Sequence, residues 1–329
     1  MDALCSSQTI TAKNIDEQSL SKQHPNVLAC LLLDRTTNHN IIWATDDYSS
    51  YGPMHEAHAE ITIKGITGSY SNIIAPRVTK SREKQAARTK HKAEVFTPSW
   101  ICNVQNNLVD EAWFDRKDVF NHAHDKSWAS TTGKIEFSSQ SSKSWIDYVD
   151  ERRMEITCGE APYLVSRYDT TTGSEIPLTN RIGLLDRKLR VVKENTDNEA
   201  HWLTWSKRAF ESIYGFEYQG DSLLLARENL LATYVDYMSD ALNREPTESE
   251  LLSIATIISW NIWQMDGLTG YPPYCTVQTT TPQPTLFDFM ENNTNTKAPE
   301  PCKIKDWRAK EICVFNDLVE EGKRREAKQ

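Results

Sequence analysis

The chain has 329 residues, with 37 Lys+Arg against 46 Asp+Glu, a formal charge of −9, and 39% hydrophobic and 25% charged residues. That balance excludes a largely disordered chain, and its acidic sign argues against a non-specific nucleic-acid coat, which works through excess Lys and Arg. The longest apolar runs are too short to span a bilayer, the first residues lack the basic and apolar regions of a secretory signal, and seven scattered cysteines without a CxxC pair fit a reducing cytoplasm better than a disulfide framework or a zinc ribbon.

Residues 1–25 are polar and read as a disordered tail. Val27–Leu33 and Ile41–Thr45 are apolar runs around a polar turn and predict a strand–loop–strand unit. Ile61, Ile63, Ile66, Ile73 and Ile74 predict further short strands, broken at Gly65, Gly68 and Pro76. Residues 79–92 then carry Lys80, Arg82, Lys84, Arg88, Lys90 and Lys92 with one acid, Glu83, while Ala86 and Ala87 favour a helix. This stretch is either a solvated helix face or a patch that meets phosphate and lets an acidic protein touch DNA. Residues 26–92 thus read as a small β-rich module ending in a basic helix, and 93–329 as a second domain with a flexible Thr/Pro/Asn-rich insertion at 276–301.

In the second domain, Thr97 as N-cap and Pro98 in the first turn open a helix with apolar residues at Ile101, Val104, Leu108 and Ala112. Residues 121–147 form a polar insertion with scattered Trp. Met154–Thr157 predicts a strand, Tyr163–Tyr168 a helix-like run, Leu184–Val192 and Trp202–Tyr214 helices, and Phe216–Tyr218 a strand. Helices at Leu223–Met238 and Glu248–Ile258 precede Asn261–Gly267, and Cys302–Trp307 and Ile312–Phe315 predict two last strands before a charged tail. Strands alternating with helices from residue 150 predict an α/β fold with a doubly wound parallel sheet.

In such a sheet, ligands bind beyond the carboxyl ends of the strands. Three predicted strand ends carry groups suited to one kind of ligand. Glu155-Ile156-Thr157-Cys158-Gly159-Glu160-Ala161 combines acids with small residues that let backbone approach a ligand. Glu217 ends the second strand, a usual place for an acid that binds ribose hydroxyls. Asp266 follows the third and can accept from an adenine amino group. The surplus of ten Trp fits core packing, or base stacking if nucleic acid is bound.

Several phrases carry a family resemblance. Glu94-Val95-Phe96-Thr97-Pro98 resembles the F/Y-T-P signature of N6-adenine DNA methyltransferases of restriction–modification systems, and Glu155–Tyr163 resembles their D-P-x-C-G-x-G-x-F loop. Ile213–Leu231 and Ile262–Leu268 resemble their second strand with its helix and the segment whose Asp meets the cofactor's adenine. The resemblance implies a Rossmann-like fold and S-adenosylmethionine held by Phe96, Thr97, Pro98, Glu155, Thr157, Cys158, Gly159, Glu160, Ala161, Glu217 and Asp266. It also implies DNA and other restriction–modification subunits as partners. The sequence departs from the pattern at three points, the first being Ile156 where the loop usually has Pro. Ala161 replaces the loop's second Gly, which is acceptable at negative φ and strained at positive φ. The tetrapeptide N/D-P-P-Y/F, which holds the target base, is absent, and Tyr271-Pro272-Pro273-Tyr274 lacks its amide and reads as a turn. These departures predict a chain that needs a partner for catalysis, or a non-catalytic specificity, regulatory or scaffolding subunit.

Other constellations are weaker. His55-Glu56-Ala57-His58 is not HExxH, and His122 and His124 lie in a polar loop without Cys, so no metal site is expected. Glu321-Gly322-Lys323 mimics part of a nuclease core but falls in the charged tail. The absence of GxxxxGK[ST] excludes an ATP-driven motor within this chain.

Overall fold

The computed structural model describes residues 15–80, 88, 90, 97–137, 143–275 and 299–326. Helix α1 (Glu17–Gln23) is capped by Asp16, whose carboxylate accepts from the Gln18 amide at 3.2 Å, and it buries Leu20. Helix α2 (Pro25–Leu32) has Pro25 at its first position, where a missing N–H is harmless and the fixed φ suits a helix. Val27, Leu28, Leu31 and Leu32 recur at helical spacing and are fully buried. Two expectations are corrected here. Residues 15–25 are ordered helix and core rather than tail, and Val27–Leu33 is helical rather than a strand. A short continuous apolar run does not distinguish the two by periodicity, and Pro25 favours the helix.

The expected β-rich module is corrected for the same reason. Helix α3 (Ile63–Ile66) stands where a strand was predicted, and Leu33 and Ile42 make only isolated bridges, to Asn40 and Glu60. Ile41, Trp43, Ile61, Ile66 and Ile74 enter the same hydrophobic cluster as Leu223, Leu224 and Ile258. The segment is therefore a layer of the main core.

Helix α4 (Ser99–Phe114) begins one residue later than predicted, with Pro98 at the cap position. Its inner face is polar: Asn103, Asn106 and Asp110 are buried, while Val104 and Leu108 face out. Asn106 donates to the carbonyls of Tyr163 and Ile182, and Asn103 exchanges hydrogen bonds with Asn121. Asp110 accepts from Tyr148 and from the buried Arg187. The apolar spacing identified the helix, but these buried partners decide which side faces inward.

Strands β1 (Asn121–His124) and β2 (Ser127–Ser130) form an antiparallel hairpin inside the expected polar insertion. Helix α5 (Trp145–Asp150) opens on a Ser144/Asp147 capping box. Then β3 (Arg153–Glu155), α6 (Leu184–Asn195), α7 (Glu199–Glu211), β4 (Ile213–Glu217), α8 (Gly220–Leu242), α9 (Glu248–Asn261) and β5 (Ile262–Gln264) follow in chain order. Residues 163–168, expected as helix-like, are irregular, and Tyr168 makes an isolated antiparallel bridge to Glu175. The three strands make one parallel sheet in the order β3-β4-β5, with Glu155 opposite Gly215 and Glu217 opposite Gln264. Parallel pairing requires crossover connections, and the helix pairs α6–α7 and α8–α9 supply them.

The last described segment is a hairpin, β6 (Lys303–Asp306) with β7 (Glu311–Val314), followed by α10 (Phe315–Glu326). It covers Tyr214, Phe216, Trp263 and Met265 on one face of the sheet, and Tyr214 donates to the Lys305 carbonyl at 3.0 Å. The whole is a mixed α/β architecture with a parallel sheet. Among the described residues, no helix is long and apolar enough to cross a membrane.

Candidate functional site

The three predicted strand ends lie side by side at one edge of the sheet. Backbone bonds extend the alignment past the strands: Cys158 donates to the Phe216 carbonyl at 2.9 Å, and Met265 to the Glu217 carbonyl at 3.0 Å. Parallel pairing thus brings Glu155, Glu217 and Asp266 to the same edge, in sheet order.

The turn after β3 is unusual. Thr157, Gly159 and Ala161 all adopt positive φ, at 47°, 54° and 64°. Ala161 therefore takes the strained alternative, and its amide closes a turn onto the Cys158 carbonyl at 2.7 Å. A Cβ at Gly215 would lie 3.3 Å from the Glu155 carbonyl oxygen, a tight approach, and in contact with the Cys158 side chain at 3.4 Å.

Glu217 organises the turn. Its carboxylate accepts from the amides of Gly159 at 2.8 Å, Tyr218 at 2.9 Å and Gln219 at 3.1 Å. Burial nevertheless dominates and raises its pKa. Glu155 is pushed up further, first by burial and also by the Glu217 charge, and it accepts from the Leu164 amide at 3.2 Å. The Cys158 thiol is likewise held protonated by burial, with Glu155 and Glu217 adding to the effect. Asp266 is half-buried, and its Oδ1 accepts from the Leu268 amide at 2.9 Å.

Glu160 does not face this edge as a ligand group. It is buried and accepts from the Arg77 amide and the Tyr168 hydroxyl, each at 2.7 Å, while Asn229 holds its carbonyl. Thr97 lies near: its carbonyl accepts from Thr170 at 3.2 Å, and beyond Pro98 the Ser99 amide donates to Asp169 at 2.7 Å. Despite the desolvation of partial burial, the hydroxyls and amides around Asp169 hold its carboxyl well below the usual range. Phe96 lies outside the described residues.

Two residues of the expected DNA patch point inward. Arg88 is buried and binds Asp221 and Asp47, at 2.9 and 2.7 Å; Lys80 binds the same Asp221 at 3.2 Å. Against the cost of full burial, Lys80 and Arg88 hold Asp221 far below the usual carboxylate range. The two cations are structural rather than phosphate-facing, which corrects the expectation for them. Lys90 is exposed, and Arg82, Lys84 and Lys92 lie outside the described residues.

The histidines also find other roles. His55 is buried and hydrogen-bonds the Gly65 carbonyl at 2.8 Å, while His58 packs on Tyr274 with ring centroids 4.0 Å apart. His122 and His124 are exposed on β1, and Lys323 pairs with Glu320 on α10. Among the described residues, no group of three or more His, Cys, Asp or Glu side chains is placed to hold a metal ion.

No family model, no curated protein and no solved structure matches the chain.

The ring cluster of His58, Tyr218 and Tyr274 was not legible in the sequence. The Tyr271–Tyr274 phrase was its one visible trace, and His58 lies more than two hundred residues away in the chain.

Proposed function

We propose that this chain is an S-adenosylmethionine-binding subunit of the DNA adenine-N6 methyltransferase type, from a restriction–modification system, built on a doubly wound Rossmann-like fold. The observation that carries this reading is the alignment of Glu155, Glu217 and Asp266 along one edge of a parallel sheet, with the small-residue turn 157–161 between the first two strands.

The donor set suits such a ligand. Glu217 has three amides on it, and a carboxylate accepts about four hydrogen bonds, so one acceptor position remains for a ribose hydroxyl. Asp266 keeps Oδ2 for an exocyclic amine, while Glu155 and Glu160 are engaged by Leu164 and by Arg77 and Tyr168. When bound, S-adenosylmethionine would supply an electrophilic methyl group. The chain's own residues contribute position and electrostatics, the main sources of rate in such transfers. DNA contact would rest on Lys90 and its neighbours or on a partner subunit.

Titration calorimetry with S-adenosylmethionine tests the reading. The wild-type chain is expected to give binding heat and a raised melting temperature, and Asp266→Ala to weaken binding roughly tenfold, the scale of a lost hydrogen bond to a charged group. A wild-type chain with neither heat nor thermal shift would remove the cofactor from the reading.

A second reading is a specificity, regulatory or scaffolding subunit without catalysis of its own. Two observations favour it: the N/D-P-P-Y/F tetrapeptide is absent from the sequence, and Glu160 is engaged internally. Incubation with DNA and S-adenosylmethionine separates the two. With a complementing subunit added, the methyltransferase reading expects adenine methylation to fall on Asp266→Ala in this chain; the second expects it unchanged.

A further inference from the structure

We propose that the outward face of helix α4 is an interface between two copies of this chain, which pair their α4 helices antiparallel across a two-fold axis. Neither the sheet edge nor its cofactor reading enters this surface.

Helix α4 is amphipathic with its polar side inward. Asn103, Asn106 and Asp110 are buried, and their bonds to Asn121, to the Tyr163 and Ile182 carbonyls, and to Tyr148 and Arg187 fix the helix against rotation. The opposite side carries Ile101, Val104, Gln105, Leu108, Val109 and Ala112, at the spacing of one helical face. None of the six is charged, and the one polar member, Gln105, accepts from the Tyr163 hydroxyl. Leu108 is 60% exposed, Val104 40% and Val109 37%. Single exposed apolar residues are ordinary on a surface, but a continuous stripe along about three turns of helix marks an interaction site.

Symmetry and charge select a second copy. Positions 101, 104, 105, 108, 109 and 112 are mirrored about the midpoint between residues 106 and 107, so the stripe has the same spacing in both chain directions. A two-fold contact of a patch with itself requires such self-complementarity. Antiparallel pairing sets Ile101 against Ala112 of the partner subunit, a large side chain against a small one, and Val104 against Leu108 of the partner subunit. The charges are reciprocal as well. Helix α4 has no acid in its first turn, no side-chain cap at Pro98 and no base in its last turn, and it ends at Asp115, exposed in the left-handed cap position. Asp115 therefore stands at the negative end of its own helix dipole. The neighbouring cations are engaged elsewhere: Lys117 pairs with Glu111 at 3.6 Å, and Arg116 donates to the Glu136 carbonyl at 2.6 Å. At the other end Asp169 takes the Ser99 amide, while among the described residues the Trp100 amide has no acceptor. An antiparallel pair brings each Asp115 to the positive N-terminal end of the other helix. A parallel pair would set the two Asp115 carboxylates against each other.

Sedimentation velocity on the full chain across micromolar concentrations tests the interface. Wild type is expected to dimerise, with a sedimentation coefficient that rises with concentration. Leu108→Asp, at an exposed position, is expected to weaken the dimer roughly thirtyfold or more, the scale of a central interface anchor, while the circular dichroism spectrum stays that of wild type. Val104→Asp repeats the measurement should Leu108→Asp fail to fold. Asp115→Asn is expected to weaken the dimer roughly threefold at low salt and to have little effect at high salt. A tighter dimer in Asp115→Asn overturns the antiparallel arrangement. A wild type that stays monomeric overturns the second copy as occupant. A dimer that persists undiminished in both Leu108→Asp and Val104→Asp overturns α4 as its interface.

Discussion

Thr157, Gly159 and Ala161 place left-handed backbone at every second position of one five-residue turn. The cost differs at each. Gly159 adopts the conformation freely, and Ala161 offsets part of its strain by burying its methyl. Thr157 is exposed and β-branched, and its hydroxyl bonds only the Ile156 carbonyl, so nothing around it repays the strain. Thr157→Gly is therefore expected to stabilise the fold by about 1 kcal/mol, read as a higher urea midpoint with unchanged slope. A lower midpoint would mean that the turn is not strained at this position. At this scale the sequence showed the small-residue turn and the three acids. It did not show that Glu160 turns away to cap Arg77 and Tyr168, because its partners lie in segments the motif does not include.

Between elements, α1 and α8 meet through a pair of buried acids. Glu17 and Glu228 are 0% and 2% exposed, and among the described residues none of their four carboxylate oxygens has a hydrogen-bond partner. Burial, with a smaller push from the Asp16 charge, raises Glu17 to about 8; burial and the Glu17 charge raise Glu228 well above its usual value. The folded state thus holds protons that the unfolded chain releases near pH 4.5. Stability from this pair is complete below that pH and is lost as pH rises toward about 8. Denaturation between pH 5 and 9 should show a fall on the order of a few kcal/mol in wild type. Glu17→Gln should flatten it, while equal slopes in both proteins would exclude the pair as its source. Helix periodicity made α4, α6, α8 and α9 legible. The orientation of α4 was not, since Asn106 and Asp110 are acceptable inside only because Arg187, Tyr148 and two loop carbonyls satisfy them.

For the whole molecule, the N-terminal segment is part of the core. The buried Arg227 side chain joins its beginning to the sheet, donating to the Leu31, Leu33 and Ile262 carbonyls. Gly220 sits so close beneath the same segment that a Cβ there would lie 2.0 Å from the Ile42 carbonyl. A chain beginning at residue 93 would lose Val27, Leu28, Leu31 and Leu32 from the core, each worth about 1.5–3 kcal/mol when buried, which together approach the whole stability of a typical domain. Such a truncation is expected to lose near-UV circular dichroism and protease resistance; a cooperatively folded product would show that 93–329 stands alone. The amino-acid sequence by itself determined the α/β class, the alternation of three strands with the helix pairs at 184–211 and 220–261, and the acids at three strand ends, because these depend on periodicity and on residues close in the chain; it misplaced a helix at 163–168. Only the tertiary structure decided that residues 15–80 cover the main core, that Lys80 and Arg88 serve Asp221, and that His58 meets Tyr274. Each of those outcomes depends on which distant group supplies the missing charge, hydrogen bond or apolar surface, and local pattern does not encode that choice.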